Sequence, residues 1–146
     1  MNILVSACLM GVCCRWDGDT NGPHPDIEAL MKEHHLIPIC PEIMGGLPTP
    51  RHPAERRGRI VATRNYTDVT EQYERGAEEA LKLAHLYRCK YAILKERSPS
   101  CGSGKIYDGT FKGNLVRGDG VTAELLKSFG VTVIGESQVA GYTFEE

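Results

Sequence analysis

Four short apolar runs constrain this chain more than any other feature: NILVSA (2–7), HLIPIC (35–40), YAILK (91–95) and VTVIG (131–135). None alternates clearly between apolar and polar residues, the pattern of strands covered on both faces. Stretches with helical spacing lie between them. PDIEALMKEH (25–34) brings Ile27, Leu30 and Met31 to one face, with Pro25 near the helix start. DVTEQYERGAEEALKLAHLYR (68–88) aligns Val69, Tyr73, Ala77, Ala80, Leu81, Ala84 and Tyr87, and its Asp68 and Glu71 resemble a capping box. GVTAELLKSFG (120–130) predicts a short helix with Thr122 as its cap. GRIVAT (58–63) reads as a short edge strand, and KIYDGTFKG (105–113) as a hairpin turning at Asp108-Gly109. Only Pro38 weakens a run from within.

Strand and helix thus alternate, which predicts an α/β fold. The expected architecture is a mostly parallel sheet with helices on both faces, Rossmann-like and three-layered, plus a small β-hairpin. No repeat, low-complexity stretch or linker divides residues 1–146, so one domain is expected. The 146 residues are 41% hydrophobic and 25% charged, as in a soluble globular chain able to bury a real core. A net charge of −2 offers no electrostatic case for a nucleic-acid or membrane-surface partner. No apolar run approaches the ~20 residues of a membrane span. The opening MNILVSAC lacks the basic region and long apolar stretch of a secretory signal, so a cytoplasmic location is expected.

Against that setting six cysteines stand out: Cys8, Cys13, Cys14, Cys40, Cys89 and Cys101. A reducing compartment argues against a disulfide framework and toward metal binding, catalysis or simple burial. Cys8 follows the first strand, Cys40 ends the second, and Cys101 sits in the loop after the third. Ligands of open α/β sheets bind beyond the carboxyl ends of the strands, so three thiols 32 and 61 positions apart are expected to converge there.

The loop KERSPSCGSG (95–104) admits three chemistries. A phosphate cradle fails twice, because Pro99 replaces the first required glycine and Ile106 the Mg²⁺-binding hydroxyl. A nucleophilic cysteine needs a base or cation nearby. His85 falls within the long helix, and His34 and His35 precede a strand. His24 and His52 lie in loops without a recognisable motif, so a Cys–His enzyme stays open while leaving Cys8 and Cys40 unexplained. A metal site uses all three strand-end thiols. No C-x-x-C pair or standard ferredoxin spacing is present, yet a soft, thiolate-only site gathered from distant loops suits an iron–sulfur cluster. With three protein thiolates, one iron keeps an open position, the mark of a catalytic metal site.

The remaining candidates divide between chemistry and plain structure. Cys89 reads as a buried small hydrophobe, and Cys13 or Cys14 as packing residues or as spare ligands within reach of the same site. Glu42, two residues after Cys40, is a general acid or base beside a metal site, or else a capping or surface glutamate. The glycines of CPEIMGGLPTPR (40–51) allow backbone to approach a ligand closely, and its prolines stiffen it. Ser98 and Ser100 are turn residues or hydrogen-bond a substrate heteroatom.

Four segments, SACLMGVCCRWDG (6–18), CPEIMGGLPTPRHPAE (40–55), KERSPSCGSGKIYDGTF (95–111) and GVTAELLKSFGVTVIGE (120–136), together resemble the thiouracil desulfidase family, in order and over nearly the whole chain. The resemblance implies a [4Fe–4S] cluster held by Cys8, Cys40 and Cys101. It also implies a non-redox removal of sulfur from thiolated uracil, a small-molecule substrate, with one open iron acting as a Lewis acid. Glu42 and Ser98 match positions implicated in catalysis, and Ser100 is a candidate for substrate binding. Trp16 stands where the family leads one to expect tyrosine, and Cys13 is not required. The alternative to hydrolysis is an iron–sulfur or zinc-binding sulfur carrier.

Overall fold

The computed structural model describes residues 1–146. Four parallel strands form its central sheet: β1 (Asn2–Ser6), β2 (His35–Ile39), β5 (Tyr91–Leu94) and β8 (Thr132–Gly135), in the order β2-β1-β5-β8. The four apolar runs are these strands. Their lack of alternation has its expected cause: Leu4, Ala92 and Leu94 face one core cluster, and Ile3, Val5 and Ile93 the other, all 0% exposed. Pro38 is tolerated because β2 is an edge strand.

Helices cover both faces. α1 (Pro25–Leu30) buries Ile27 on one side, helped by Leu9 in a 3₁₀ turn (Ala7–Met10) and by Val139 near the C-terminus. On the other side α3 (Thr70–Leu86) contributes Ala80 and Ala84, and α4 (Val121–Ser128) contributes Ala123 and Leu126. The short α2 (Pro41–Met44) leaves the end of β2 and packs on α3. No helix is long and apolar enough to cross a membrane.

Three of the local expectations need correction. Asp68 and Glu71 form no capping box. Residue Val69 is the N-cap, while Asp68 accepts the Thr70 N–H and the Thr70 hydroxyl bonds back to Val61. Thr122 does not cap α4: Gly120 does, and the Thr122 hydroxyl is buried without a partner. GRIVAT does supply a short edge strand, in a two-stranded sheet apart from the main one. β4 (Ile60–Thr63) pairs antiparallel with β3 (Ala54–Arg57), a strand the polar sequence AERR conceals. The later hairpin exists, but β6 (Lys105–Tyr107) pairs with β7 (Leu115–Arg117), so Asp108-Gly109 opens a longer loop instead of closing a tight turn.

The strand order places one point of the sheet apart. From β1 the chain goes to one side for β2 and to the other for β5. Such a reversal leaves a crevice beyond the carboxyl ends of the strands, where neighbouring connections diverge to opposite faces.

Candidate active site

A cavity of about 550 Å³ fills that crevice. Cys8 enters it from the 3₁₀ turn after β1, Cys40 from the residue after β2, and Cys101 from the loop after β5. Three thiols remote in sequence meet because their strands are neighbours and parallel. Glu42, Ser98 and Ser100 line the same cavity, so every expected site residue is brought together. No histidine lines it. His24 instead accepts the Asp26 N–H at the start of α1, and His52 lies on a separate cavity.

The fold fixes the Cys40 segment through glycines. Cys40 is the N-cap of α2 and Glu42 lies in the first turn. A Cβ on Gly76 of α3 would overlap the Pro41 carbonyl, and one on Gly45 would overlap the Gln72 carbonyl. The two backbones therefore touch. Gly45 serves contact between helices, where the sequence had suggested approach to a ligand.

The Cys101 loop is held from within and from α4. The Ser98 hydroxyl oxygen accepts the N–H groups of Ser100 and Cys101 at 3.2 and 3.1 Å. Carbonyls of Pro99, Ser100 and Gly102 accept N–H groups from the start of α4 and the residue before it. Those donors are the ones a helix cannot satisfy internally. Gly120 permits the approach, since a Cβ there would strike the Ser100 carbonyl.

Glu42 is gripped at both oxygens. Arg51 Nε donates to Oε1 at 3.0 Å and the Ser100 hydroxyl to Oε2 at 3.2 Å. Ser100 Oγ lies 3.1 Å from Ser98 Oγ. With the Ser100 proton committed to the carboxylate, Ser98 is the donor between the two hydroxyls. Ser100 is 1% exposed, whereas Ser98 is half-buried. Arg51 also ties in the thiol region: its Nη2 donates to the Cys14 carbonyl at 2.8 Å and its own N–H to the Trp16 carbonyl at 2.7 Å.

The thiols differ in their electrostatics. Complete burial pushes Cys101 up to about 12, offset in part by the Ser100 and Ser6 side chains beside it. Burial also raises Cys8, offset in part by hydrogen bonding to Asn21 and by the Lys95 ammonium. Cys40 is lowered, chiefly by a hydrogen bond from the Cys14 thiol and further by the Ile43 N–H in the first turn of α2 and by Arg51. Cys14 is raised as the other half of that pair. The sequence left Cys13 and Cys14 undecided. Only Cys14 lines the cavity, while Cys13 is exposed. Cys89 is buried in the main core as a small hydrophobe.

Among the lining residues that sequence reasoning missed are Arg51, Tyr73, Lys95 and Phe111. Tyr73 counted as a helix core residue, and it is 1% exposed on the cavity wall. Arg51 and Phe111 lay inside quoted motifs without a reason of their own. Lys95, which pairs with Glu136 at 2.9 Å, opened the KERSPSCGSG loop without a role of its own.

No trio of His, Cys, Asp and Glu closes tightly enough around one point to hold a single metal ion. The donors suit a larger group. Three soft thiols on separate strand ends, lining a roomy cavity with Arg51 and Lys95 on its wall, are a donor set of the kind an anionic iron–sulfur cluster takes.

A family model described as 2-thiouracil desulfurase matches residues 3–138. A Bacillus subtilis (strain 168) protein, YbbK, described as uncharacterized, is 44% identical over 147 residues, covering 94% of this chain and 97% of its own. A solved structure titled as the [4Fe-4S]-dependent thiouracil desulfidase TudS superposes with a TM-score of 0.91 at 47% identity, covering 95% of this chain and 93% of that one.

Proposed function

This chain belongs to the 2-thiouracil desulfurase family, and from that membership we propose that it hydrolyses the C–S bond of a thiolated uracil without net redox change. Thiouracil and water give uracil and hydrosulfide, and a [4Fe–4S] cluster held by Cys8, Cys40 and Cys101 is the cofactor. The observation that carries the reading is the meeting of these three thiols with Glu42 in one cavity at the sheet's reversal point. When bound, the cluster would supply a Lewis acid that polarises the thiocarbonyl group.

The residues of the chain manage the water and the protons. Glu42 is the general base that takes a proton from the attacking water as oxygen adds to the ring carbon. Arg51 and Ser100 occupy one acceptor position on each carboxylate oxygen, and an ionised carboxylate retains further lone pairs for the water. The Ser98 and Ser100 hydroxyls continue from Glu42 to the cavity wall, a hydrogen-bonded route along which the proton can return to the departing sulfur. Ser98 turns its hydroxyl proton toward a substrate heteroatom when the ring is bound, and Ser100 holds the carboxylate against the substrate. Burial of Cys8 and Cys101 keeps both thiols protonated in the empty protein, so cofactor binding releases protons.

The test joins anaerobic iron and sulfide analysis with an assay of thiouracil loss. Cys40→Ala abolishes cofactor binding. Glu42→Ala keeps iron and sulfide and loses turnover. Full activity in iron-loaded Glu42→Ala protein removes Glu42 from its role, and thiouracil left intact by the loaded wild type overturns the enzymatic reading.

A further inference from the structure

The YDGTF segment (107–111) is built with more care than the chemistry above requires. Asp108 Oδ1 accepts both the N–H and the hydroxyl of Thr110, at 2.9 and 2.6 Å, and the Asp108 N–H donates to the Asn114 carbonyl. Glu55, from β3, reaches across and accepts the N–H groups of Gly109 and Phe111 on one oxygen, each at 3.0 Å. Gly109 has φ +96°, and a Cβ there would press on the Arg57 side chain. Phe111 has φ +59°, a left-handed backbone that a bulky residue adopts only when its surroundings impose it.

The hydrophobic core does not need this arrangement. Phe111 belongs to none of the three core clusters. Its ring lines the cavity instead, with the Arg64 guanidinium carbon 5.6 Å from the ring centroid. Arg64 makes no salt bridge, so the ring is its defined partner. A strained aromatic, fixed by a carboxylate from another hairpin, lines the cavity together with the cation that packs on it.

We propose that Phe111 is the stacking platform for the substrate's heterocycle, and that Glu55 is the positioning residue that holds it there. The inference rests on the desulfurase reading for the identity of the ring. Its physical content is wider: a planar six-membered heterocycle lies against Phe111, beside the Arg64 guanidinium that shares the cavity wall. A base stacked on an aromatic side chain gains enough for one ring to matter by about tenfold in affinity.

Cluster-loaded wild type, Phe111→Ala, Phe111→Tyr, Glu55→Ala and Glu55→Gln enzymes are compared by steady-state kinetics with thiouracil. Uracil binding to the same samples is measured by calorimetry. Phe111→Ala is expected to raise KM and weaken uracil binding about tenfold or more, with kcat and iron content nearly kept. Phe111→Tyr, which keeps the ring, stays near wild type. Glu55→Ala reproduces the Phe111→Ala defect, and Glu55→Gln, which retains an acceptor oxygen for the two N–H groups, recovers most of it. Unchanged KM and uracil affinity in Phe111→Ala overturn the platform. A fall in kcat alone in Glu55→Gln overturns the positioning role, because it makes the carboxylate a chemical participant. Wild type that binds uracil but leaves thiouracil intact overturns the desulfurase reading, and loss of that binding in Phe111→Ala still supports the platform.

Discussion

Arg51 gives its guanidinium to four acceptors: the Glu42 carboxylate, the Cys14 and Pro48 carbonyls and the Thr49 hydroxyl. Its side chain is 6% exposed and that of Glu42 is 17% exposed, so the pair sits largely out of water. Removing one member leaves a charge and several carbonyls without partners, which costs more than the pair itself contributes. Arg51→Met is therefore expected to lower stability by about 3 kcal/mol. Adding Glu42→Gln to that variant recovers much of the loss. Urea unfolding of the two variants checks this, and equal instability in both would remove the charge as the cause. The sequence exposed little of this. Arg51 stood in a motif as the end of a proline-stiffened stretch, and its acceptors lie on segments up to 37 positions away. Side chains so placed acquire meaning only when the backbone has brought their partners near.

The elements that carry the site are short, and their placement depends on glycine contacts. α2 has four residues, too few to hold its own direction, and it is aimed by lying against α3 at Gly45 and Gly76. Gly76→Ala forces the α2 backbone away from α3, since the new methyl would coincide with the Pro41 carbonyl. The expected cost is at least about 2 kcal/mol. Because Cys40 and Glu42 move with α2, iron retention also falls. Glu78→Ala, at an exposed position of the same helix, serves as the control that keeps its iron. Elution of bound iron during anaerobic gel filtration reports the difference, and normal retention by Gly76→Ala would show that α2 is not aimed by this contact. Gly45 and its neighbour Gly46 illustrate where sequence reading went astray. A Gly-Gly beside a candidate ligand reads as room for a ligand, whereas one of them is room for a helix in a different part of the chain.

At the scale of the molecule, stability is centred on β1 and β5, whose Ile3, Leu4, Val5, Ala92, Ile93 and Leu94 are all 0% exposed. The two hairpins that wall the cavity are peripheral, and every residue of β7 is exposed. Amide hydrogen exchange is expected to be slowest in β1 and β5 and fastest in β7, with β3 and β4 between them. Protection in β7 equal to that of β1 would show that the wall and the sheet open as one unit. Such a division keeps the three thiols on the rigid part and the ring of Phe111 on the part able to admit substrate. By itself the sequence determined the parallel α/β architecture, the strand-end location of Cys8, Cys40 and Cys101, and the likeness to a family. Those follow from local periodicity and from motif identity, both written along the chain. Only the tertiary structure decided that Cys14 and not Cys13 reaches the cavity, that Arg51 grips Glu42, and that Glu55 holds Phe111. These depend on which hairpin lies across which loop, and that is set by packing between residues tens of positions apart, where no local pattern carries the information.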